Sequence, residues 1–167
     1  MTIHDTHPFA DPDPDPARRL RGRLGGAVSL WTAGQEPSRA GLTVASLMVA
    51  NGEPARVLAL LDPDADLTDL LVDTGRAVVH LLSWRHRDLA EAFAGLAPAP
   101  GGLFRAATFE PSAYGPVLAD ATTYASVTLE STVEVGWSVL VTCVLDDIVI
   151  GDDDAQLRYH RGRYRKG

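Results

Sequence analysis

Residues 122–150 read TTYASVTLESTVEVGWSVLVTCVLDDIVI and predict two long β-strands, about 122–133 and 137–150. In the second strand, Trp137, Val139, Val141, Cys143 and Leu145 occupy every other position. Because side chains alternate between the two sides of a strand, these five share one apolar face. We therefore expect Cys143 to be a buried structural residue rather than a reactive thiol.

Shorter strands are predicted on both sides of this pair, at residues 27–32, 38–49, 56–61, 77–82 and 156–159. Residues 56–61 read RVLALL, a nearly continuous apolar run that predicts a strand buried on both faces. A lone histidine within such a strand, His80, is more often a hydrogen-bonded core residue than a metal ligand.

Two helices are predicted between the strands. The first begins at Asp66, places Leu67, Leu70 and Leu71 on one face and ends at Gly75, with Asp69 imitating a capping box. The second covers residues 85–94, and residues 17–24 form a short basic helix. Six or so strands with two or three short helices do not alternate as βαβα. The pattern predicts a mainly β, α+β protein, either an antiparallel barrel or a sandwich with inserted helices.

Composition limits the class of protein. Residues 1–16 are rich in Asp and Pro and predict a disordered tail, which leaves residues 17–167 as one domain. The net charge of −7 argues against a general nucleic-acid binder. The chain has no apolar run of about 18 residues and no secretory signal at its start, so we expect no membrane association and a cytoplasmic protein.

Two charged stretches have competing interpretations. Residues 62–73 resemble a calcium loop, but Leu67 stands where that loop requires glycine, so a turn and helix start are favoured. Residues 158–166 hold five of the 15 basic groups. They form either a solvated tail or a patch that meets an anionic ligand or an acidic partner.

Four stretches, in order, resemble the flavin reductase family, FMN-binding split barrels related to pyridoxamine-phosphate oxidases. They are residues 41–47 (GLTVASL), 57–71, 75–95 and 157–164 (LRYHRGRY). The resemblance implies a six-or-so-stranded antiparallel split β-barrel that forms a homodimer, with the flavin near the interface. It also implies FMN as cofactor, NAD(P)H as a possible co-substrate and a possible partner monooxygenase.

The resemblance also implies the site residues. The isoalloxazine ring would be lined by residues 43–48, through Thr43, Ala45, Ser46, Leu47 and Met48. The phosphate would lie near the segment after Leu61, which contains Asp62, Ala65, Asp66 and Leu67. No catalytic side chain is assigned, because a flavin carries its own redox chemistry.

Two departures from the family pattern matter. Ala65-Asp66-Leu67 replaces the usual Ser-x-Thr of the phosphate loop, and Gly136-Trp137 replaces Asp-His, which leaves NAD(P)H-linked reduction open. A phosphate beside Asp64 and Asp66 needs compensating arginine, and the candidates are Arg85, Arg87, Arg161 and Arg163. Arg85 is favoured, and amides at the helix start near Leu67 would also contribute.

Three functions therefore stay open. They are an FMN-dependent oxidoreductase, the same barrel with haem or a deazaflavin, and a non-catalytic barrel that binds a ligand or partner. The homodimer is also expected because apolar strand faces, such as those of Leu30, Val139 and Val141, exceed what two small helices can cover.

Overall fold

The computed structural model describes residues 15–152 and 155–167. Most of the predicted tail, residues 1–14, lies outside the described residues. The first helix begins at Pro16, and the Asp15 carboxylate accepts a hydrogen bond from the Ala17 amide at 3.0 Å. The helices are α1 (Pro16–Leu24), α2 (Asp66–Thr74) and α3 (Arg87–Phe93).

Twelve strands make up the rest of the described fold. They are β1 (Gly26–Ala27), β2 (Ser29–Ala33), β3 (Ala40–Val44), β4 (Leu47–Ala50), β5 (Arg56–Leu61), β6 (Arg76–Leu81), β7 (Phe109–Glu110), β8 (Val117–Leu118), β9 (Tyr124–Val135), β10 (Ser138–Val149), β11 (Leu157–His160) and β12 (Arg163–Lys166).

The main sheet has seven antiparallel strands in the order β3-β2-β6-β9-β10-β5-β4. Its two edge strands, β3 and β4, are consecutive in the chain and are separated by only Ala45 and Ser46. A two-residue connection cannot span a flat sheet of seven strands about 4.8 Å apart. The sheet therefore curls until its edges meet, which confirms the predicted antiparallel split β-barrel with inserted helices.

The core has two parts, one on each side of the curled sheet. The interior holds Trp31, Leu61, Val127, Val141 and Cys143, and α2 adds Leu67 and Leu71. The second part lies between α3 and the outer side of β2, where Leu30 contacts Leu89 and Phe93. Each fully buried leucine or phenylalanine contributes about 1.5–3 kcal/mol to folding. Residues 103–121 and the strands β11 and β12 extend this outer cover through Phe104, Leu118 and Leu157. Parts of the outer face of β4, β5 and β9 stay exposed.

Three strand predictions need correction. The predicted strand 38–49 is two strands, because the chain bends at Ala45 and Ser46 to pass from one edge of the sheet to the other. Strand β5 is not buried on both faces, because Leu60 on its outer face is 36% exposed. Trp137 does not share the buried face of Val141 but lies in the turn before β10, 83% exposed.

The capping prediction for α2 is also wrong. Ala65 is its N-cap residue and has no polar side chain to offer. The preceding turn is held instead by Asp62, whose carboxylate accepts from the Asp64 amide at 2.9 Å and whose carbonyl accepts from the Thr68 hydroxyl at 2.6 Å. The predicted end of the helix is confirmed, since Gly75 has a φ of 71°, which favours glycine.

The basic C-terminal stretch is not a solvated tail. Strands β11 and β12 form a hairpin, and β11 pairs with β1. His80 and Cys143 are buried core residues, as predicted. Among the described residues, no helix is both long and apolar enough to span a membrane. The same part of the chain contains no group of three or more His, Cys, Asp and Glu side chains placed to hold a metal ion.

Candidate functional site

The candidate site centres on the seam, which we define as Ala45 and Ser46, where the two edges of the curled sheet meet. Ser46 bonds to β5 twice: its hydroxyl donates to the Leu60 carbonyl at 2.9 Å, and its carbonyl accepts from the Leu60 amide at 3.0 Å. On the other side, the Ser29 hydroxyl donates to the Val44 carbonyl at 2.7 Å. The seam is therefore fixed to both β2 and β5.

Strand β1 lies against the seam at Gly26 and joins it to the hairpin of β11 and β12. A Cβ atom at Gly26 would lie 2.6 Å from the Ala45 carbonyl oxygen, so only glycine allows this approach. Gly26 pairs with Tyr159 of β11, whose ring meets that of Tyr164 edge-on at 5.4 Å. Burial raises the pKa of Tyr164 to about 12, so its phenol stays neutral.

The loop after β5, residues 62–67, adjoins the seam because Leu60 pairs with Ser46. Its end is the start of α2, where Thr68 N and Asp69 N donate the first bonds to the Ala65 carbonyl. The amides of Asp66 and Leu67 come before these bonds, at the N-terminus of the helix. Amides at this position have no partner within the helix and attract anions. Asp62, Asp64 and Asp66 place three carboxylates within the five residues that lead into the helix, and their charge opposes an anion there.

The hydroxyl groups of this region already donate to the protein. The Thr43 hydroxyl donates to the Ala90 carbonyl at 2.7 Å, and those of Ser46 and Thr68 donate to Leu60 and Asp62. A hydroxyl has one hydrogen, so these three offer a ligand only their lone pairs. Hydrogen-bond donation to a ligand at the seam must therefore come from backbone amides or from basic side chains.

The turn between β9 and β10 lies at the same end of the sheet as this loop. The pairing of β10 with β5 ends at Val139 and Leu61, two residues from the turn and one residue from the loop. Gly136 has a φ of 57° and is the first of the two turn residues between the paired Val135 and Ser138. Glycine at that position is typical of a tight type II′ hairpin turn.

Two of the candidate arginines lie in different surroundings. Arg161 is in the turn between β11 and β12, with its amide donating to the Gly22 carbonyl at 2.8 Å. Arg85 lies on Asp120: its guanidinium donates to the Asp120 carbonyl at 2.7 Å and its Nε is 3.5 Å from the carboxylate. The structure thus brings together Ser46 and Leu60, at the starts of the two predicted segments, while Arg161 lies beside Gly22 and Arg85 faces Asp120.

Comparison with known proteins decides the family. The family model described as "Flavin reductase like domain" matches residues 21–167. The chain belongs to this family. Its predicted function as a flavin-associated oxidoreductase is thereby confirmed at that level of detail.

Individual relatives are similar along most of their length. An FMN reductase (NADH) RutF from Ancylobacter novellus is 28% identical over 148 residues, 88% of this chain and 81% of the relative. The NADH:FAD oxidoreductase SgcE6 of Streptomyces globisporus C-1027 has a TM-score of 0.81 at 20% identity, covering 94% and 97% of the two chains. The styrene monooxygenase flavin reductase SMOB of Pseudomonas putida S12 has a TM-score of 0.79 at 21% identity, covering 92% and 97%.

Two buried titratable groups of this flavin reductase family member, His80 and Cys143, are poorly suited to acid–base catalysis near neutral pH. Burial lowers the pKa of His80 to about 4 and raises that of Cys143 to about 12. A general acid or base works best with a pKa near the working pH, and these groups move away from neutrality. This agrees with a site in which the cofactor performs the redox step.

The seam fits one end of an FMN molecule better than the other. The small side chains of Ala45 and Ser46 suit a planar ring that approaches the backbone. The α2 amides suit a phosphate, whereas the acids of residues 62–67 oppose it. Two cavities, of about 360 and 310 Å³, lie elsewhere, and neither is lined by Ala45 or Ser46.

Sequence reasoning missed two features of this region. One is the approach of Gly26 to Ala45, which joins residues far apart in the chain and has no local signal. The other is Asp120, which holds Arg85 and also accepts from His86 Nε2 at 3.1 Å. Its position in the loop between β8 and β9 gave no indication of either partner.

Proposed function

We propose that this protein is a flavin reductase that uses NADH and binds FMN non-covalently at the seam. The observation that carries the proposal is the seam itself, which places residues 43–48 and 62–67 side by side in a chain of this family. Relatives support the cofactors: RutF is named an FMN reductase (NADH), and SgcE6 is named an NADH:FAD oxidoreductase. SMOB, which is named for a styrene monooxygenase, supports transfer of reduced flavin to a partner monooxygenase.

In this proposal each segment has one task. Thr43, Ala45, Ser46, Leu47 and Met48 hold the edge of the isoalloxazine ring, mainly through the backbone. Asp62, Ala65, Asp66 and Leu67 lie at the ribityl phosphate, where the α2 amides donate. The bound flavin supplies the hydride-accepting chemistry, and the chain positions the ring and excludes water.

The test is titration of purified protein with FMN, followed by flavin absorbance and fluorescence, and then by NADH oxidation. We expect quenched flavin fluorescence and FMN-dependent loss of NADH absorbance. A Soret band after haem addition, or uptake of a deazaflavin alone, would favour the second candidate. Uptake of none of these chromophores would favour a non-catalytic barrel.

A homodimer is part of the proposal because an outer face of the sheet is apolar. Leu60 pairs with Leu140, which pairs with Val133, so these three side chains form a row across β5, β10 and β9. We define the outer apolar face by six residues, Met48, Leu58, Leu60, Leu140, Val133 and Val135. Met48 and Val133 are 67% and 54% exposed. An antiparallel sheet that faces water is polar on that side, so this face suits burial against a second copy.

The residues named from sequence for this interface need correction. Leu30 and Val141 are fully buried within the chain, and Val139 packs on the interior core. The apolar residues that are left uncovered in the single chain lie instead on the outer face of β4, β5, β9 and β10. Because Met48 and Leu60 adjoin the seam, a second copy on this face would also cover the proposed flavin site.

The acidic loop makes a prediction about phosphate. Two like charges about 4 Å apart repel by about 1 kcal/mol in water and about 4 kcal/mol at an effective dielectric near 20. We expect Asp66→Asn to strengthen FMN binding about tenfold, or ~1.4 kcal/mol, and to leave riboflavin binding unchanged. Isothermal titration with both ligands measures this, with Asp73→Asn, at the far end of α2, as the matched control.

The same titration compares the two arginines. If Arg161 compensates the phosphate charge, Arg161→Ala weakens FMN binding about tenfold and spares riboflavin. Arg85→Ala has that effect only if Arg85 leaves Asp120 when the ligand binds. Equal affinity for FMN and riboflavin in every variant would show that residues 62–67 do not hold a phosphate.

A further inference from the structure

We propose that a basic face beside the seam attracts the phosphate groups of anionic ligands and directs these ligands to the flavin site. The ligand class is a planar ring compound that carries phosphate, and FMN and NADH are its two sources. This inference rests on the proposed function, since it needs a flavin site at the seam. It extends that function to helix α1 and to one side of the hairpin of β11 and β12.

The basic residues of the chain are concentrated in two segments. Nine of the 15 lie in residues 16–24 and 158–166, and neither segment contains Asp or Glu. All 22 acids therefore lie in the rest of the chain, with only six arginines. A protein of net charge −7 repels a phosphate at a distance, so an anionic ligand approaches it most readily at these two segments.

In the hairpin of β11 and β12, basic side chains share one side. Tyr159 and Tyr164 pack on the second part of the core. Because side chains alternate along a strand, the residues next to these tyrosines point the other way. They are Arg158, His160, Arg163 and Arg165, and all four are exposed.

The pairing of the two strands places these basic side chains directly against each other. Arg158 lies opposite Arg165, and His160 lies opposite Arg163. Like charges directly opposite each other in an antiparallel pair destabilise it, so the two arginines lower the stability of the hairpin. Such a local conflict is expected at a functional site, and an anion on this side of the hairpin would relieve it.

Helix α1 adds to the same side of the hairpin. The Arg161 amide donates to the Gly22 carbonyl at 2.8 Å, and a Cβ atom at Gly25 would lie 3.2 Å from the His160 ring. Since the His160 side chain belongs to the basic side, α1 ends on that side. The helix adds the exposed residues Arg19, Arg21 and Arg23. We define the basic face by these three residues together with Arg158, His160, Arg163 and Arg165.

The basic face adjoins the seam through β1, which begins at Gly26, two residues after α1 ends. A Cβ atom at Gly26 would lie 2.6 Å from the Ala45 carbonyl oxygen, and Gly26 pairs with Tyr159. Neighbouring strands are about 4.8 Å apart, so β11 lies within about 10 Å of the seam. This distance is close to the Debye length at physiological ionic strength, about 8 Å, so the charge of the basic face acts on a ligand at the seam.

The proposed flavin site needs such an attraction because its own loop is acidic. Asp62, Asp64 and Asp66 oppose an approaching phosphate, and the amides at the start of α2 act only at short range. A charged surface acts at longer range and raises association rates by about 10- to 1,000-fold. The basic face therefore governs how fast an anionic ligand arrives, and the seam governs how the ring is held.

The test is the salt dependence of association, measured by stopped-flow flavin fluorescence with FMN and with riboflavin, which lacks the phosphate. Net charge alone predicts that FMN binds faster as salt screens the repulsion. The basic face predicts the opposite sign, with FMN association slowing about tenfold between about 0.01 and 1 M salt. Riboflavin association should change less than about twofold. The reaction of NADH with FMN-loaded protein is followed over the same salt range.

Arg158→Glu removes positive charge from the middle of the basic face. We expect FMN to associate about fivefold more slowly at low ionic strength and at nearly the unchanged rate at about 1 M salt. The hairpin should keep its fold, because the new carboxylate faces Arg165 and replaces a repulsion by an attraction. Arg76→Glu is the matched control: Arg76 is exposed and lies at the far end of β6 from Leu81, which pairs with Ser29 near the seam. Thermal melts check that both variants fold.

The outcomes separate this inference from the proposed function. Slower association of FMN, but not of riboflavin, in Arg158→Glu supports the basic face, and a loss confined to NADH assigns the face to the co-substrate. If Arg76→Glu slows FMN as much as Arg158→Glu does, or if riboflavin slows equally, the basic face does not attract phosphate. If FMN binds and its association rate rises with salt, the inference is wrong and the proposed function stands. If the unchanged protein binds neither flavin, the proposed function itself fails.

Discussion

Val133→Asp is expected to convert the proposed homodimer into monomers and to weaken FMN binding with it. Val133 lies in the row formed with Leu140 and Leu60 and is 54% exposed in the single chain. The substitution therefore adds a charge at a surface position and removes no core packing, so the monomer should keep its fold. In a two-fold interface the same charge is buried twice.

The expected size of this effect follows from desolvation. An uncompensated charge in an interface costs about 3 kcal/mol or more, and about 1.4 kcal/mol is a tenfold change in a dissociation constant. The dimer dissociation constant should rise by more than about 100-fold. FMN affinity should fall in parallel, because Met48 and Leu60 of the same face adjoin the seam.

Sedimentation over a range of protein concentrations measures the first effect, and FMN fluorescence titration measures the second. Ile148→Asp is the matched control, since Ile148 is an exposed aliphatic residue of the neighbouring strand β10, 49% exposed, outside the outer apolar face. Circular dichroism checks that both variants fold. A monomeric mass for the unchanged protein, or a dimeric Val133→Asp, would remove the interface from the proposal.

The sequence predicted the strands well wherever apolar and polar side chains alternate between the buried and exposed sides. Val139, Val141, Cys143 and Leu145 do face the interior. The same alternation predicted that Trp137 faces the interior, and this prediction is wrong because the chain reverses direction at Gly136. The alternation of apolar residues in the sequence continues through the hairpin turn, although the strand itself ends there.

The seam could not be located from the residues alone. The run from Leu42 to Val49 is apolar or small throughout, so nothing marks the bend at Ala45 and Ser46. The bend exists because two edges of a seven-stranded sheet must meet, and this is a property of the whole topology. The family resemblance indicated the right segment, but the contacts that fix it come from Ser29, Leu60 and Gly26.

The error on β5 has a related cause. Its apolar residues point to both sides of the sheet, and the pattern was interpreted as burial on both sides within one chain. Val57, Ala59 and Leu61 are buried, whereas Leu60 lies on the outer apolar face. In the proposed dimer, the outer apolar side of β5 is buried against another copy of the chain. The structure of a single chain therefore leaves that side exposed.

Folding stability is expected to fall by about 3 kcal/mol between neutral pH and pH near 4 because of His80. The Leu118 amide donates to His80 Nε2 at 3.0 Å, so that nitrogen carries a lone pair. His80 Nδ1 therefore carries the hydrogen and donates to the Leu30 carbonyl at 2.9 Å. The ring thus joins β6 to β2 and β8 in its neutral form only.

The sign of the pH dependence follows from this geometry. Burial lowers the pKa of His80 from 6.5 in the unfolded chain to about 4 in the folded protein. Between these values the unfolded chain binds the extra proton and the folded protein does not, so acid favours unfolding. The contribution is complete above pH 6.5 and is lost progressively as the pH falls to about 4, at ~1.4 kcal/mol per pH unit.

Urea denaturation at a series of pH values measures this slope. In His80→Asn, the amide nitrogen lies near the position of Nδ1 and can still donate to Leu30, and the side chain does not titrate, so the slope between pH 6.5 and 4 should become markedly shallower. The exposed His160 provides the control, His160→Gln, which should keep the slope of the unchanged protein. If His80→Asn folds and keeps the full slope, the acid sensitivity arises from carboxylates such as Glu130, whose pKa is lowered by its bond to Arg56, and not from His80.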